Sequence, residues 1–362
     1  MTISTAEAAH YRIPLPQVLS DSIHGDMPDF ELVTAQVRTS DGLEGLGYTY
    51  TVGRGGSAIR AMIADDLAPL LRGGDPRRVE QLWNRMWWGI HWVGRGGVAS
   101  FAMAAIDVAL WDLKAKAAGE PLWRLLGGAT NRVKAYAGGI DLQFTLDELR
   151  AQTEGFLRAG FQAIKVKVGR ERLAEDVERI RAVREVVGSS FTLMADANCR
   201  WRVDQAIRAA RALEPFDLTW LEEPTNPDDV EGFARIATEG GVPLAAGENL
   251  HTVSEFERLL RDGRVAFPEP DLTNLGGITP WLHVAKIAQA RHLPVTSHGV
   301  HDLHVHLLAA VPNASYLEVH GFGLERFLSE PLPFERGEAI APDRPGHGVD
   351  LQAEALRPFR VS

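Results

Sequence analysis

The sequence predicts an α/β fold: a (β/α)7β TIM-like barrel behind an N-terminal α+β capping domain. Three observations predict it. Strand-like and helix-like stretches alternate regularly after Asn131. The strand-like runs end on polar residues at nearly even spacing. The earlier part lacks that alternation and carries a hairpin followed by helices instead. The chain therefore divides into a capping domain at 1–128, a catalytic barrel at 129–329, and a segment at 330–362 that packs back on the body.

Within the first part, FELVTAQV and GLGYTYT are strand-like and meet at Ser40-Asp41-Gly42, a hairpin cue. Phe101, Ala104, Ala105, Val108 and Trp111 recur at helical spacing and give one apolar face. Gly127-Gly128 stops that stretch. Eight strands then begin near Val133, Ala163, Phe191, Leu218, Val242, Val265, Leu293 and Ser315. Helical stretches such as Leu146–Ala159, Leu173–Val187 and Val253–Arg261 lie between them. Strands spaced by roughly 20–30 residues match a barrel, with a doubly wound open sheet as the competing arrangement. From Glu330 the chain reads as an irregular tail. The motif VGRGG occurs at Val52–Gly56 and again at Val93–Gly97, each time before a helix.

Composition narrows the function classes. The chain has 362 residues and a net charge of −10 with no dense Lys/Arg tract, which argues against nucleic acid as a partner. Cys199 is the one cysteine, so no internal disulfide forms and a reducing compartment fits. Met1 to Leu19 has no basic region followed by an apolar run, so no signal peptide is expected. The most apolar helix candidate, Phe101 to Leu113, carries Asp107 and Asp112 and is too short to span a bilayer. These features predict a soluble cytoplasmic protein without a membrane partner.

A barrel enzyme carries its reactive groups at the C-terminal ends of its strands. Here those ends supply Lys165 and Lys167, Asp196 and Asn198, Glu222 and Glu223, Glu248, Asp271, His298 and Glu318. Asp196, Glu222 and Glu248 end three adjacent strands. Converging carboxylates repel without a cation, and hard oxygen ligands suit Mg2+, with Mn2+ as a substitute. Glu223 has the opposite strand parity and reads as structural or as a support behind the ligands. Lys165 and Lys167 share a face of one strand and point into the barrel. Crowding by a second cation and the metal would lower a lysine pKa toward neutrality, as a general base requires. His298 lies on the far side, and Asp271 ends the preceding strand, where it can fix the imidazole tautomer. Glu318 could donate a hydrogen bond to a substrate carboxylate if it stays protonated. A barrel metallohydrolase would want His-x-His at the first strand end. The chain has that pattern only at His304 and His306, in a helical stretch where the two do not share a face.

The segments AIKVKVG, MADAN, WLEEP, AAGEN, PDLTNLGGIT, TSHG and LEVHGF, with AAIDVALWDLKAKAAGEPLWRLLGG before them, resemble the mandelate racemase subgroup of the enolase superfamily in order and spacing. The resemblance implies Mg2+ at Asp196, Glu222 and Glu248, with Lys167 and His298 as acid/bases on opposite faces. It implies that Asp271 supports His298, that Lys165 and Glu318 hold the substrate carboxylate, and that Asn198 touches a substrate hydroxyl. It implies a small-molecule carboxylate substrate and a homo-oligomer, commonly an octamer. Specificity loops are expected near Asp21–Met27 and Tyr48–Gly56. GLGYTYTVGRGG is similar to the capping loop of galactarate/talarate-type dehydratases, with His24 and Arg54 available for a distal carboxylate or hydroxyls. The expected activity is dehydration of an acid sugar, an aldarate or aldonate, to a 2-keto-3-deoxy acid. Racemisation of a 2-hydroxy acid, cycloisomerisation, and non-catalytic sugar-acid binding are the alternatives. Tyr48, Tyr50 and Trp92 also leave room for an aromatic substrate.

Overall fold

The computed structural model describes residues 1–362. Its N-terminal part is built on an antiparallel sheet of β1 (Ile3–Asp21), β2 (Gly25–Thr39) and β3 (Glu44–Thr51). The expected hairpin joins β2 to β3, with Gly42 at φ 87° in the turn. Strand β1 has no counterpart in the sequence reading. Pro14 and Pro16 interrupt its pattern, and its pairing with β2 slips between Pro14 and Leu19, because proline has no N–H for the ladder.

The long helix Val98–Ala118 packs under this sheet. It is buried on nearly every side, not along one face as the apolar spacing suggests. A Cβ at Gly45 or Gly47 would fall 2.2 Å from the main-chain oxygen of Ala109 or 2.0 Å from that of Ala105, so only glycine lets β3 lie this close. The two buried acids of the helix are satisfied. Asp107 accepts from the N–H of Thr279 at 2.8 Å and its hydroxyl at 2.7 Å. Asp112 accepts from the Leu46 N–H at 3.0 Å and pairs with Lys116 at 2.7 Å.

The second part is a closed parallel barrel. β4 (Arg132–Gly138), β5 (Ala163–Lys167), β6 (Thr192–Asp196), β7 (Leu221–Glu222), β8 (Leu244–Ala246) and β9 (Phe267–Pro268) pair in that order, and β10 (Leu317–Val319) returns to β4. Between β9 and β10, the Thr296 N–H donates to Pro268 O at 3.0 Å and the Ser315 N–H to Val295 O at 2.8 Å. Val295–Thr296 therefore fills the remaining stave. Tyr136, Ala163, Met194, Trp220 and Ala245 form a small inner cluster separate from the main core, so the barrel interior is packed and chemistry is confined to its mouth.

The C-terminal segment is more regular than expected. β11 (Phe334–Glu335) and β12 (Glu338–Ile340) form a hairpin on β4, and the Val361 N–H reaches back to His10 O at 2.8 Å. Three successive residues of β3 dock on the barrel. The Tyr48 hydroxyl donates to the Asp302 carboxylate at 2.6–2.7 Å, the Thr49 hydroxyl to Thr273 O at 3.2 Å, and the Tyr50 hydroxyl to Asp271 at 3.2 Å. No helix is long and apolar enough to cross a membrane.

Candidate active site

Strand alternation sets the site. Lys165 and Lys167 share the inner face of β5, Asp196 and Glu222 end β6 and β7, and Glu318 lies in β10. Glu248, Asp271 and His298 stand on the turns just past their staves. The structure joins them in one network. Ligand oxygens of Asp196, Glu222 and Glu248 lie within 4.8 Å of one another. Oε2 of Glu248 is buried with no hydrogen-bond partner, although His298 Nε2 stands at ion-pair distance, 3.1 Å. Three oxygen donors in that space, one of them unpartnered, fit a hard divalent cation.

The lysines depart from expectation. Lys165 Nζ lies 2.6 Å from Glu222 and 2.7 Å from Glu318, and Lys167 Nζ bonds to Asp196. Burial favours the neutral amines, but Asp196, Glu222 and Glu318 outweigh it and hold both pKa values above the ordinary lysine range. Here these carboxylates face the ammonium groups directly, whereas the expected lowering presupposes a cation on the trio. A cation on the trio would draw on Asp196 and Glu222, leaving burial and repulsion from Lys165 to act downward on Lys167, while Lys165 keeps Glu318 at 2.7 Å.

Asp271 Oδ2 accepts from His298 Nδ1–H at 3.0 Å. Burial opposes the imidazolium, yet Glu248, Asp271 and Glu318 raise His298 to about 10. Glu318 is also corrected. Burial favours its neutral form, but His320, Lys165 and His298 hold its carboxyl well below the usual range. That direction makes it an acceptor, where a donor was expected. Its oxygen instead accepts from the Gly299 N–H at 2.9 Å.

A cavity of ≈ 360 Å³ opens over Glu248, Asp271 and His298. Tyr50, Val52, Ile59, Val98 and Phe101 give it an apolar lining, and His24 and Arg54 also reach it. His24 Nδ1 is held by Asp21 at 2.8 Å, whereas Arg54 is exposed. Asn198 does not line this cavity. It is buried, and its N–H supports Asp196 at 2.8 Å. Tyr48 is fully buried against Asp302, and Trp92 is 88 % exposed, so neither lines the cavity.

Glu223 is structural, as its parity suggests: it accepts from Asn249 Nδ2 at 2.5 Å and lies 2.9 Å from Cys199 Sγ. His304 and His306 are also structural. His304 bonds to Gly299 O and the Leu272 N–H, and His306 to His347 O. Two contacting groups escape the sequence reading. His320 Nε2 lies 3.2 Å from Glu318; its signal was its place two residues after Glu318, on the same strand parity. Glu269 is 1 % exposed with both carboxylate oxygens unpartnered, and burial and Glu222 push its carboxyl well above the usual range. It is hidden in PEPD, where the adjacent Asp271 draws the attention.

Comparison with known proteins agrees with this architecture. Residues 7–127 match the mandelate racemase / muconate lactonizing enzyme N-terminal domain, and residues 148–355 match the enolase C-terminal domain-like model. A 3,6-anhydro-alpha-L-galactonate cycloisomerase of Streptomyces coelicolor is 54 % identical over 96 % of both chains. An L-talarate/galactarate dehydratase of Salmonella typhimurium is 37 % identical over 91 % of this chain and 83 % of its own. The crystal structure of a racemase from Streptomyces coelicolor with bound magnesium superposes with a TM-score of 0.97 at 52 % identity, covering 99 % of this chain and 100 % of that one. The chain is an enzyme of the enolase superfamily and belongs to its mandelate racemase/muconate lactonizing enzyme family.

Proposed function

We propose that this enzyme removes the α-proton of a sugar acid and expels the oxygen on the β-carbon, with an anhydro-sugar acid as substrate. The observation that carries the reading is the bracketing of one carboxylate trio by two proton-transfer groups. Lys167 contacts Asp196, and His298 contacts Glu248. Asp196, Glu222 and Glu248 would hold Mg2+, or Mn2+ in its place. The cation supplies electrostatic stabilisation of the charge that develops on the substrate carboxylate.

With Asp196 neutralised by the cation, Lys167 as the free amine would take the C2 proton, and the C2–H electrons form the double bond to C3 as the C3–O bond breaks. His298, carrying its proton, delivers it to the departing oxygen. Asp271 keeps that imidazole oriented throughout. The resulting enol becomes a 2-keto-3-deoxy acid by taking a proton at C3 and releasing the proton of its C2 hydroxyl. In a 3,6-anhydro acid the departing oxygen stays attached at C6, so nothing is lost and the reaction is an isomerisation. In an aldarate or aldonate the same steps release water.

The 54 % identity to a cycloisomerase favours the first outcome, and the apolar lining of Val52, Ile59, Val98 and Phe101 suits a compact ring. The dehydratase reading is the second, supported by the talarate/galactarate relative and by Arg54, which could meet a distal carboxylate. Turnover of 3,6-anhydro-galactonate, galactarate and talarate, assayed for keto acid with semicarbazide, separates them. Keto product from the anhydro acid alone supports the first; product only from the diacids supports the second.

A further inference from the structure

We propose that His298, Glu318 and His320 form a second cation site, distinct from the carboxylate trio, that takes a borderline metal such as Zn2+. Its occupancy silences the enzyme by engaging Nε2 of His298. The three donor atoms lie within 4.8 Å of one another. Glu318 Oε2 is 3.2 Å from His320 Nε2 and 3.9 Å from His298 Nε2, and the two rings are 5.4 Å apart.

The surroundings suit a metal. His298 Nδ1 is already fixed by Asp271, the arrangement that orients a ligating imidazole. His320 Nδ1 is buried without a partner, so no hydrogen bond at that nitrogen resists the small ring movement that would bring three donors onto one ion. Gly138 makes room: a Cβ there would fall 2.9 Å from Glu318 Oε1 and 3.1 Å from His320 Cβ. His298 lines the open cavity, which gives an entry path.

Donor chemistry separates the two sites. Two imidazoles and one carboxylate prefer Zn2+ to Mg2+, whereas an all-oxygen trio prefers Mg2+. The silencing rests on the acid/base role proposed for His298, whereas the binding does not.

The test is calorimetric titration of Zn2+ into the full chain already saturated with Mg2+. One further equivalent should bind. His320→Asn should weaken that binding by about tenfold or more and remove the Zn2+ inhibition of the turnover it retains. Excess Mg2+ should not relieve inhibition of the wild type. Absence of the extra equivalent overturns the proposal. So does equal inhibition of both proteins, or relief in proportion to added Mg2+, which would put Zn2+ on the trio. If His320→Asn does not fold, Co2+ absorption in the Mg2+-saturated wild type is compared with that of His298→Asn. A ligand-field band that survives loss of His298 overturns the proposal, and one that disappears supports it. These binding readouts need no substrate, so failure here is distinguishable from failure of the proposed reaction.

Discussion

Asp271 Oδ2 holds His298 Nδ1 at 3.0 Å, and the Tyr50 hydroxyl donates to the same oxygen at 3.2 Å. The capping sheet thus reaches the imidazole through one carboxylate, while Nε2 faces Glu248 at 3.1 Å. We predict that His298→Asn lowers kcat on the order of 10²–10⁴-fold, as for loss of an acid/base group. Asp271→Asn should cost less, since the imidazole remains but its tautomer is no longer imposed. Steady-state kinetics would contradict this if Asp271→Asn were the more damaging change.

The carboxylate trio predicts a strict metal requirement. Treatment with EDTA should abolish turnover, and added Mg2+ should restore it. Glu222→Gln removes one anionic donor and also a partner of Lys165 at 2.6 Å. It should weaken Mg2+ binding in a calorimetric titration. Unchanged affinity would remove Glu222 from the ligand set.

The Tyr48–Asp302 contact predicts an effect on stability without an effect on chemistry. Asp302 is 6 % exposed and accepts the Tyr48 hydroxyl across the interface between sheet and barrel. Tyr48→Phe leaves that carboxylate short of a donor, which costs about 1–3 kcal/mol. Urea unfolding should register the loss, while kcat should stay near the wild-type value.

How much of this was legible follows from where each residue sits. The strand-end series from Lys165 to Glu318 could be read because barrel geometry brings every strand's C-terminal end to one mouth. Strand β1 could not, because Pro14 and Pro16 break its alternation. Tyr48 reads as a residue beside the substrate loops, yet the docking of β3 turns it and Thr49 onto the barrel rim, which depends on tertiary packing alone. The protonation of Lys167 and Glu318 depends on which opposite charge lies within hydrogen-bond reach, and spacing carries no such distance. His320 stood in plain view two residues from Glu318, but a lone histidine has no pattern until His298 is beside it.

Asp107 predicts a pH dependence of folding. Burial, partly offset by hydrogen bonds from Thr279, raises its carboxyl to about 7. The folded state therefore binds this proton more tightly than the unfolded chain, whose carboxyl titrates near about 3.9. The stabilisation is full below the lower value and is lost as pH rises through the upper one. Asp107→Asn stays neutral throughout. The urea midpoint of the wild type should fall relative to that of Asp107→Asn between about pH 5 and about pH 8; parallel midpoints would contradict the assignment.

The central claim is α-proton removal coupled to loss of the β-oxygen bond. Its most direct test is proton NMR of 3,6-anhydro-galactonate incubated with the Mg2+-loaded enzyme in D2O. The account predicts that the C2 proton signal disappears as a 2-keto-3-deoxy product forms with one deuteron at C3. Exchange or inversion at C2 with the ring intact and no keto product would contradict it and assign the enzyme to racemisation.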